Sequence, residues 1–212
     1  MRITGAADVI TRDFPESGSG RSDGIHVSEI VESLAIKLGY LEPDRNWTPT
    51  DVLRMKIGQA VEAWWGPHLE TKWPDPFIWQ PGELEKDGIF GTPDGESLSD
   101  KFGLEIHECK VTWLGTASNN KHAKQPGLIP WYWQAQFKSY CAMNDKECTS
   151  AVLHRFYVNG NYKPPSPLYW PMRLTFDKGE LRKHWDTMQK EADKLRRVKD
   201  RDRRLSRGVL LG

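Results

Sequence analysis

The stretch GTPDGESLSDKFGLEIHECKV, running from Gly91 to Val111, decides how the chain is read. Asp94 sits in a Pro-Asp-Gly turn at the end of one predicted strand, Gly88–Thr92. Glu108 and Lys110 lie two residues apart on the next predicted strand, Leu104–Trp113, so their side chains share a face. A carboxylate from one strand end can therefore converge with a carboxylate and an ammonium from its neighbour. Two carboxylates suit a hard, oxygen-preferring cation such as Mg²⁺. The lysine can hold and polarise a water, while the cation offsets charge that builds on phosphate oxygens. A Glu-x-Lys triplet alone is more often a surface ion pair on an exposed strand edge. The Pro-Asp-Gly turn, the strand context and the spacing weigh against that reading.

Outward from this stretch, the hydrophobic period changes twice. Upstream, Ser28 is expected to cap a helix through about Leu38, with Ile30, Val31, Leu34 and Leu38 on one face and Gly39 past its end. A second helix is expected from Thr50 to Trp65, with Leu53, Ile57, Val61 and Trp64 at helical spacing. Phe77–Trp79, Gly88–Thr92 and Leu104–Trp113 then read as strands between turns. Downstream come a helix over Trp131–Met143, strands Ala151–Val158 and Tyr169–Phe176, and a helix from near Asp177. That last helix carries Leu181, Trp185, Met188, Ala192 and Leu195 as its stripe. The element order predicts an α/β fold, with a mixed central β-sheet flanked by helices. One domain is expected over 1–212, with a flexible loop at about 11–24 and a basic C-terminal helix at about 178–207.

Two further patterns flank the Glu-x-Lys strand. Gly58 and Glu62 form a Gly-x-x-x-Glu on the second helix, where an exposed glutamate on a plain amphipathic helix is the ordinary alternative. Gln134, Gln136 and Tyr140 lie on the helix that follows, and Gln136 and Tyr140 are one turn apart on a common face. In order, the set is Gly58/Glu62, Asp94, Glu108/Lys110 and Gln136/Tyr140.

That ordered set resembles the lambda-type phage exonucleases and, more distantly, the RecB nuclease domain, both of the PD-(D/E)xK superfamily. The resemblance spans roughly Arg21 to Phe176 and implies a restriction-endonuclease-like core. It also implies that Asp94 and Glu108 are the principal metal ligands, with the Cys109 carbonyl beside them and Glu62 reaching a second Mg²⁺ or Mn²⁺. Lys110 would position the nucleophile, and Gln136 and Tyr140 would order the site. An Arg and a Ser seven apart receive the DNA 5′ phosphate in lambda-type enzymes, and Arg21 and Ser28 have that spacing, with Glu29 following. The implied activity is a Mg²⁺-dependent 5′ to 3′ exonuclease on duplex ends, serving phage recombination or DNA processing. The implied partners are DNA and a single-strand annealing protein; a homo-oligomer stays open, the lambda enzyme being a ring-shaped trimer. Glu62 stands where RecB-like enzymes often carry His, which favours the phage branch. The segment from Asp94 to Glu108 is longer than in the lambda enzyme.

Composition narrows the classes without choosing among them. No stretch approaches the ~18 apolar residues of a membrane span, and the N-terminus lacks a signal-peptide pattern, so the host cytoplasm is expected and no membrane contact. Cys109, Cys141 and Cys148 are odd in number and lack Cys-x-x-Cys spacing, which argues against a disulfide framework, a zinc site or an iron–sulfur cluster. The net charge is +1, but Lys194 to Arg207 holds eight basic and two acidic residues, leaving the remainder near −5. A solvated helix face is the commoner meaning of such a run; phosphate contacts by Arg196, Arg197, Arg201 and Arg204 are the alternative. Lys121 and Lys124 are candidate phosphate contacts, as is Gln134 for substrate. Trp131, Tyr132 and Trp133 read as core aromatics before base-stacking ones. Two rivals to the exonuclease stay open: an endonuclease on the same fold, and a DNA-binding module without turnover.

Overall fold

The computed structural model describes residues 22–43, 48–113, 129–144, 147–158 and 168–209, with side chains to 203. Arg21, Lys121, Lys124, the Arg204 side chain, most of the predicted 11–24 loop and the Asn/Pro-rich connection after Val158 lie outside what it describes. No described helix is long and apolar enough to cross a membrane.

Strand β1 (Ile25–His26) leads directly into helix α1 (Val27–Lys37), followed by α2 (Pro49–Lys72). Strands β2 (Phe77–Trp79), β3 (Leu84–Lys86), β4 (Ile89–Gly91), β5 (Gly95–Ser99) and β6 (Gly103–Thr112) come next. Helix α3 (Trp131–Met143), strands β7 (Ser150–Tyr157) and β8 (Leu168–Thr175), and helix α4 (Lys178–Val209) complete the chain. The main sheet runs β2-β5-β6-β7-β8, and a small sheet runs β1-β4-β3. β6 and β7 are parallel, whereas the other neighbours in the main sheet are antiparallel. The sheet is thus mixed and flanked by helices, as expected.

β6 is the centre of this arrangement. Its residues Leu104 to Cys109 are all buried, the pattern of a strand covered on both faces. Leu104 and Ile106 point into a core built with Ile30 and Val31 of α1, Phe137 of α3, and Leu181, Trp185, Met188 and Ala192 of α4. The apolar stripe expected on the last helix is therefore its buried face. The alternate β6 residues face α2. There His107 and His154 lie edge-on to the Trp73 ring, at centroid distances of 4.8 and 5.3 Å. Buried Glu105 accepts a paired contact from Arg173, 2.6 Å from Nε and 3.1 Å from Nη2, and a hydrogen bond from Ser150 Oγ at 2.7 Å. Trp131, Tyr132 and Trp133 pack against the core, in line with the first of their two readings.

Two local expectations are corrected, and one alternative reading is narrowed. Ser28 does not cap α1; it is the helix's second residue. His26 is the cap, in extended conformation, and its N–H donates to Glu29 Oε2 at 2.9 Å. The helix starts early because Ile25 and His26 are held straight by pairing with β4. The second helix does not stop at Trp65 but continues through Pro67 to Lys72. Pro67 removes one backbone donor, yet packing sustains the helix: Gly66 lies so close to the Trp79 indole that a Cβ there would come within 1.8 Å of it. Arg196 is not free for phosphate. Its Nη2 donates to the Asp87 and Gly88 carbonyls at 2.8 Å each, and Nη1 reaches Asp193 at 2.8 Å. Farther along α4, Lys199 binds Glu29 at 2.8 Å and Arg203 binds Asp23 at 3.2 Å. These basic residues fasten the helix to the start of the described chain.

Candidate active site

The site lies where the main sheet forks. β5 pairs with β6 only from Gly103 to His107. β6 continues five residues farther, held there by β7 alone among the described strands. Asp94, the residue before β5, sits at the mouth of the fork. Its Oδ2 accepts the Cys109 N–H at 2.7 Å, replacing the strand partner that β5 no longer offers. Glu108 and Lys110 follow on β6 and form an ion pair with each other. The expected convergence of Asp94, Glu108 and Lys110 is present.

α2 brings the next group. Thr48 caps it, accepting the Asp51 N–H at 3.2 Å, and Pro49 begins it. Gln59 and Glu62, three apart on one helix face, reach the same cleft. Gly58, beside them, faces open space: a Cβ there would meet nothing within 4 Å. α3 supplies Gln136 and Tyr140, whose side chains hydrogen-bond to each other at 2.9 Å. The Tyr140 ring lies 2.8 Å from where a Gly91 Cβ would be, so only glycine fits at that point of β4. His26, Val27, Ser28 and Phe90 close the far wall of a cleft of about 280 Å³.

The charges are crowded. Burial, then the Glu62 charge, pushes the Asp94 carboxyl up to about 7. Burial and the Asp94 charge push Glu108 to about 7 as well. Glu62 is raised by burial and by Glu108, and it shares a hydrogen bond with Asp94. Burial works against the Lys110 ammonium, but the charges of Glu108 and Asp94 outweigh it and hold Lys110 above its ordinary value. Three acids thus share one cation in a site that would hold more positive charge.

Whether a metal fits can be judged from the donors. The described residues contain no group of three or more His, Cys, Asp and Glu side chains placed so that it could hold a metal ion as it stands. Lys110 engages Glu108, and Glu62 and Asp94 share a hydrogen bond. Yet Glu108 Oε2 is buried without a partner among the described residues, and such an oxygen calls for a cation. Cys109 adds a carbonyl that points to the same strand edge as its N–H, toward Asp94. This all-oxygen set fits a hard divalent ion.

Several predicted residues are placed together here: Glu62, Asp94, Glu108, Lys110, Gln136, Tyr140 and Ser28 all line the cleft. Gln134 does not. Two residues from Gln136 on a helix, it faces elsewhere, and its amide donates to the Ile129 carbonyl at 2.8 Å. Sequence reasoning missed Gln59, His26 and Phe90. Gln59 was open to it, being one turn before Glu62; the other two are set by the β1–β4 pairing, which no local signal announces.

No protein-family model and no curated protein sequence matches the chain. Its fold is nevertheless similar to that of a solved exonuclease. It is similar to the alkaline exonuclease LHK-Exo from Laribacter hongkongensis, with a TM-score of 0.55 and 12% identity over 88% of this chain and 94% of that one. The complex of the same enzyme with dAMP gives 0.56 and 11% over the same spans. A phage-related exonuclease from Haemophilus somnus 129PT gives 0.45 and 15%, over 80% of this chain and 81% of that one.

Proposed function

We propose that this protein is a metal-dependent deoxyribonuclease that digests duplex DNA from its ends, 5′ to 3′. The observation that carries the reading is the convergence of Asp94, Glu108 and Lys110 at the sheet fork, with the buried Glu108 Oε2 without a partner among the described residues. Asp94, Glu108 and the Cys109 carbonyl would hold Mg²⁺ or Mn²⁺, with Glu62 serving a second ion. When bound, the metal supplies Lewis-acid stabilisation of charge on the phosphate oxygens. The fold shared with an exonuclease supports the class of reaction and supplies no residue roles.

The protein's own groups divide the remaining work. Lys110 stays protonated at neutral pH, because its carboxylate neighbours hold its pKa up. It is therefore a donor and not a base: it orients the attacking water and faces the negative charge of the phosphate. Gln136 and Tyr140 offer polar hydrogens to the substrate backbone across the cleft. Ser28 lies in the first turn of α1, where the helix dipole favours an anion. A terminal phosphate carries more charge than an internal diester, so this end of the cleft favours 5′ ends.

The test is one digestion series with Mg²⁺, using linear duplex with a 5′ phosphate, the same duplex with a 5′ hydroxyl, and covalently closed circles, each repeated with EDTA. We expect the phosphorylated linear DNA to disappear first, the circles to survive, and EDTA to stop all cleavage. Ser28→Ala should narrow the phosphate preference. Rapid cutting of closed circles, indifferent to the 5′ group, would replace this reading with an endonuclease on the same residues.

A further inference from the structure

Two cysteines that the cleft does not use lie side by side. Cys141 is in the last turn of α3, and Cys148 stands two residues before β7. Their sulfurs are 3.3 Å apart, and each also lies within hydrogen-bond reach of the Ser150 carbonyl, at 3.6 Å from Cys141 and 3.3 Å from Cys148. Both are almost fully buried, in the core that α3 shares with the sheet. The third cysteine, Cys109, lies outside that core cluster, on the β6 face that packs toward α2. A disulfide needs the sulfurs at about 2.05 Å. Closing the gap takes a movement of little more than an ångström, divided between a helix end and the approach to a strand.

We propose that Cys141 and Cys148 form a reversible intramolecular disulfide when the protein meets hydrogen peroxide, stapling the end of α3 to the start of β7. The Cys148 thiolate attacks one peroxide oxygen and the O–O bond breaks. The departing oxygen leaves as water after taking a proton, and Cys148 becomes a sulfenic acid. The Cys141 sulfur then attacks the Cys148 sulfur, the S–O bond breaks, and a second water leaves with the Cys141 proton. Two thiols lose two electrons in total and one hydrogen peroxide molecule gains them; an external thiol reverses the change by exchange. The hydrogen bond between the two sulfurs favours this order of events. It draws the Cys148 thiol below its ordinary value and, with burial, pushes Cys141 up, and the thiolate is the nucleophile. Tyr140 immediately precedes Cys141 and accepts the Gln136 hydrogen bond in the cleft, so the staple restrains the helix turn that carries a cleft residue. The proposal does not depend on the nuclease reading.

The experiment treats the full chain with hydrogen peroxide, alkylates free thiols after unfolding, and maps peptides without reduction. We expect the intact mass to fall by two hydrogens and Cys109 alone to be alkylated. A single cross-linked species should join Cys141 to Cys148, and dithiothreitol should reverse all of this. Cys109→Ser should form the same link, Cys148→Ser should form none, and the oxidised protein should melt at a higher temperature than the reduced. Three alkylated cysteines after peroxide, a link that includes Cys109, or direct passage of Cys148 to sulfinic acid would each overturn the proposal. Should Cys148→Ser not fold, the wild-type and Cys109→Ser maps decide the matter alone.

Discussion

The Cys109 N–H donates to Asp94 Oδ2 at 2.7 Å, so the turn that carries one acid is tied to the main chain of the strand that carries the other acid and the lysine. The spacing of these groups is therefore held by backbone and not by long side chains. Asparagine at 94 keeps an oxygen for that N–H but loses the charge. Asp94→Asn should abolish metal-dependent cleavage while leaving the fold intact, as read by circular dichroism. Wild-type rates in the purified variant would remove Asp94 from the mechanism.

The same crowding predicts how stability changes with pH. Asp94 and Glu108 have folded pKa values raised to about 7, against roughly 4 when unfolded. The folded state then holds the extra protons, so metal-free stability should fall as pH rises from about 4 through about 7. Glu108→Gln should accordingly melt higher than wild type at pH 8 without metal, by on the order of a kcal/mol. Mg²⁺ should remove the difference by stabilising only the wild type. Melting curves at pH 5 and pH 8, with and without Mg²⁺, check both signs.

Lys110 is argued to be a charged donor. Lys110→Ala should cost about 100-fold or more in cleavage, with DNA binding in EDTA nearly unchanged. Equal losses in binding and cleavage would make Lys110 a phosphate anchor instead.

α4 reads differently from its charge run. Arg196→Ala should lower stability by about 1–2 kcal/mol, because it strands the Asp87 and Gly88 carbonyls. The salt dependence of DNA binding should not change. A flatter salt slope would restore the phosphate contact that the structure argues against.

The buried histidines set an acid limit. Ser97, His107, His154 and Tyr169 form one hydrogen-bonded row across four strands, with contacts of 2.7 to 2.8 Å. Burial lowers His154 to about 3 and holds His107 well below its ordinary value. Each must take up a proton on unfolding once pH drops below about 6.5, so their contribution is complete above that pH and is lost as pH falls toward 3. His154→Gln should make the loss shallower, by up to about 1.4 kcal/mol per pH unit. Denaturant melts at pH 4, 5 and 6 give the slope directly.

The parts of this structure that were legible in the sequence are those where one segment carries its own signal. The α3 span follows from apolar spacing and β2 from the turns that bound it, and Glu108 and Lys110 share a face because β6 is long and regular. β1, β3 and β5 were not legible. They have two to five residues, too few for a period to show, and their pairing is decided by neighbours distant in the chain. β3 had one clue that went unused: Asp87 and Gly88, both at positive φ of 54° and 67°, make the tight hairpin turn to β4. The His107–His154 contact joins residues 47 apart, and nothing local to either announces it. The cleft acids were legible as a pattern, whereas their mutual repulsion and the tie from Asp94 to Cys109 are properties of the fork alone.

Both borders of the main sheet share a property with a consequence outside the cleft. β2, at one border, has only three residues. β8, at the other, contains Pro171, which has no N–H to offer. A strand from another molecule needs a long, unbroken row of donors and acceptors to dock, and among the described residues neither border presents one. The sheet is a poor template for its own extension, which protects concentrated protein against strand-by-strand aggregation and leaves the fork as the place where its open backbone is put to use.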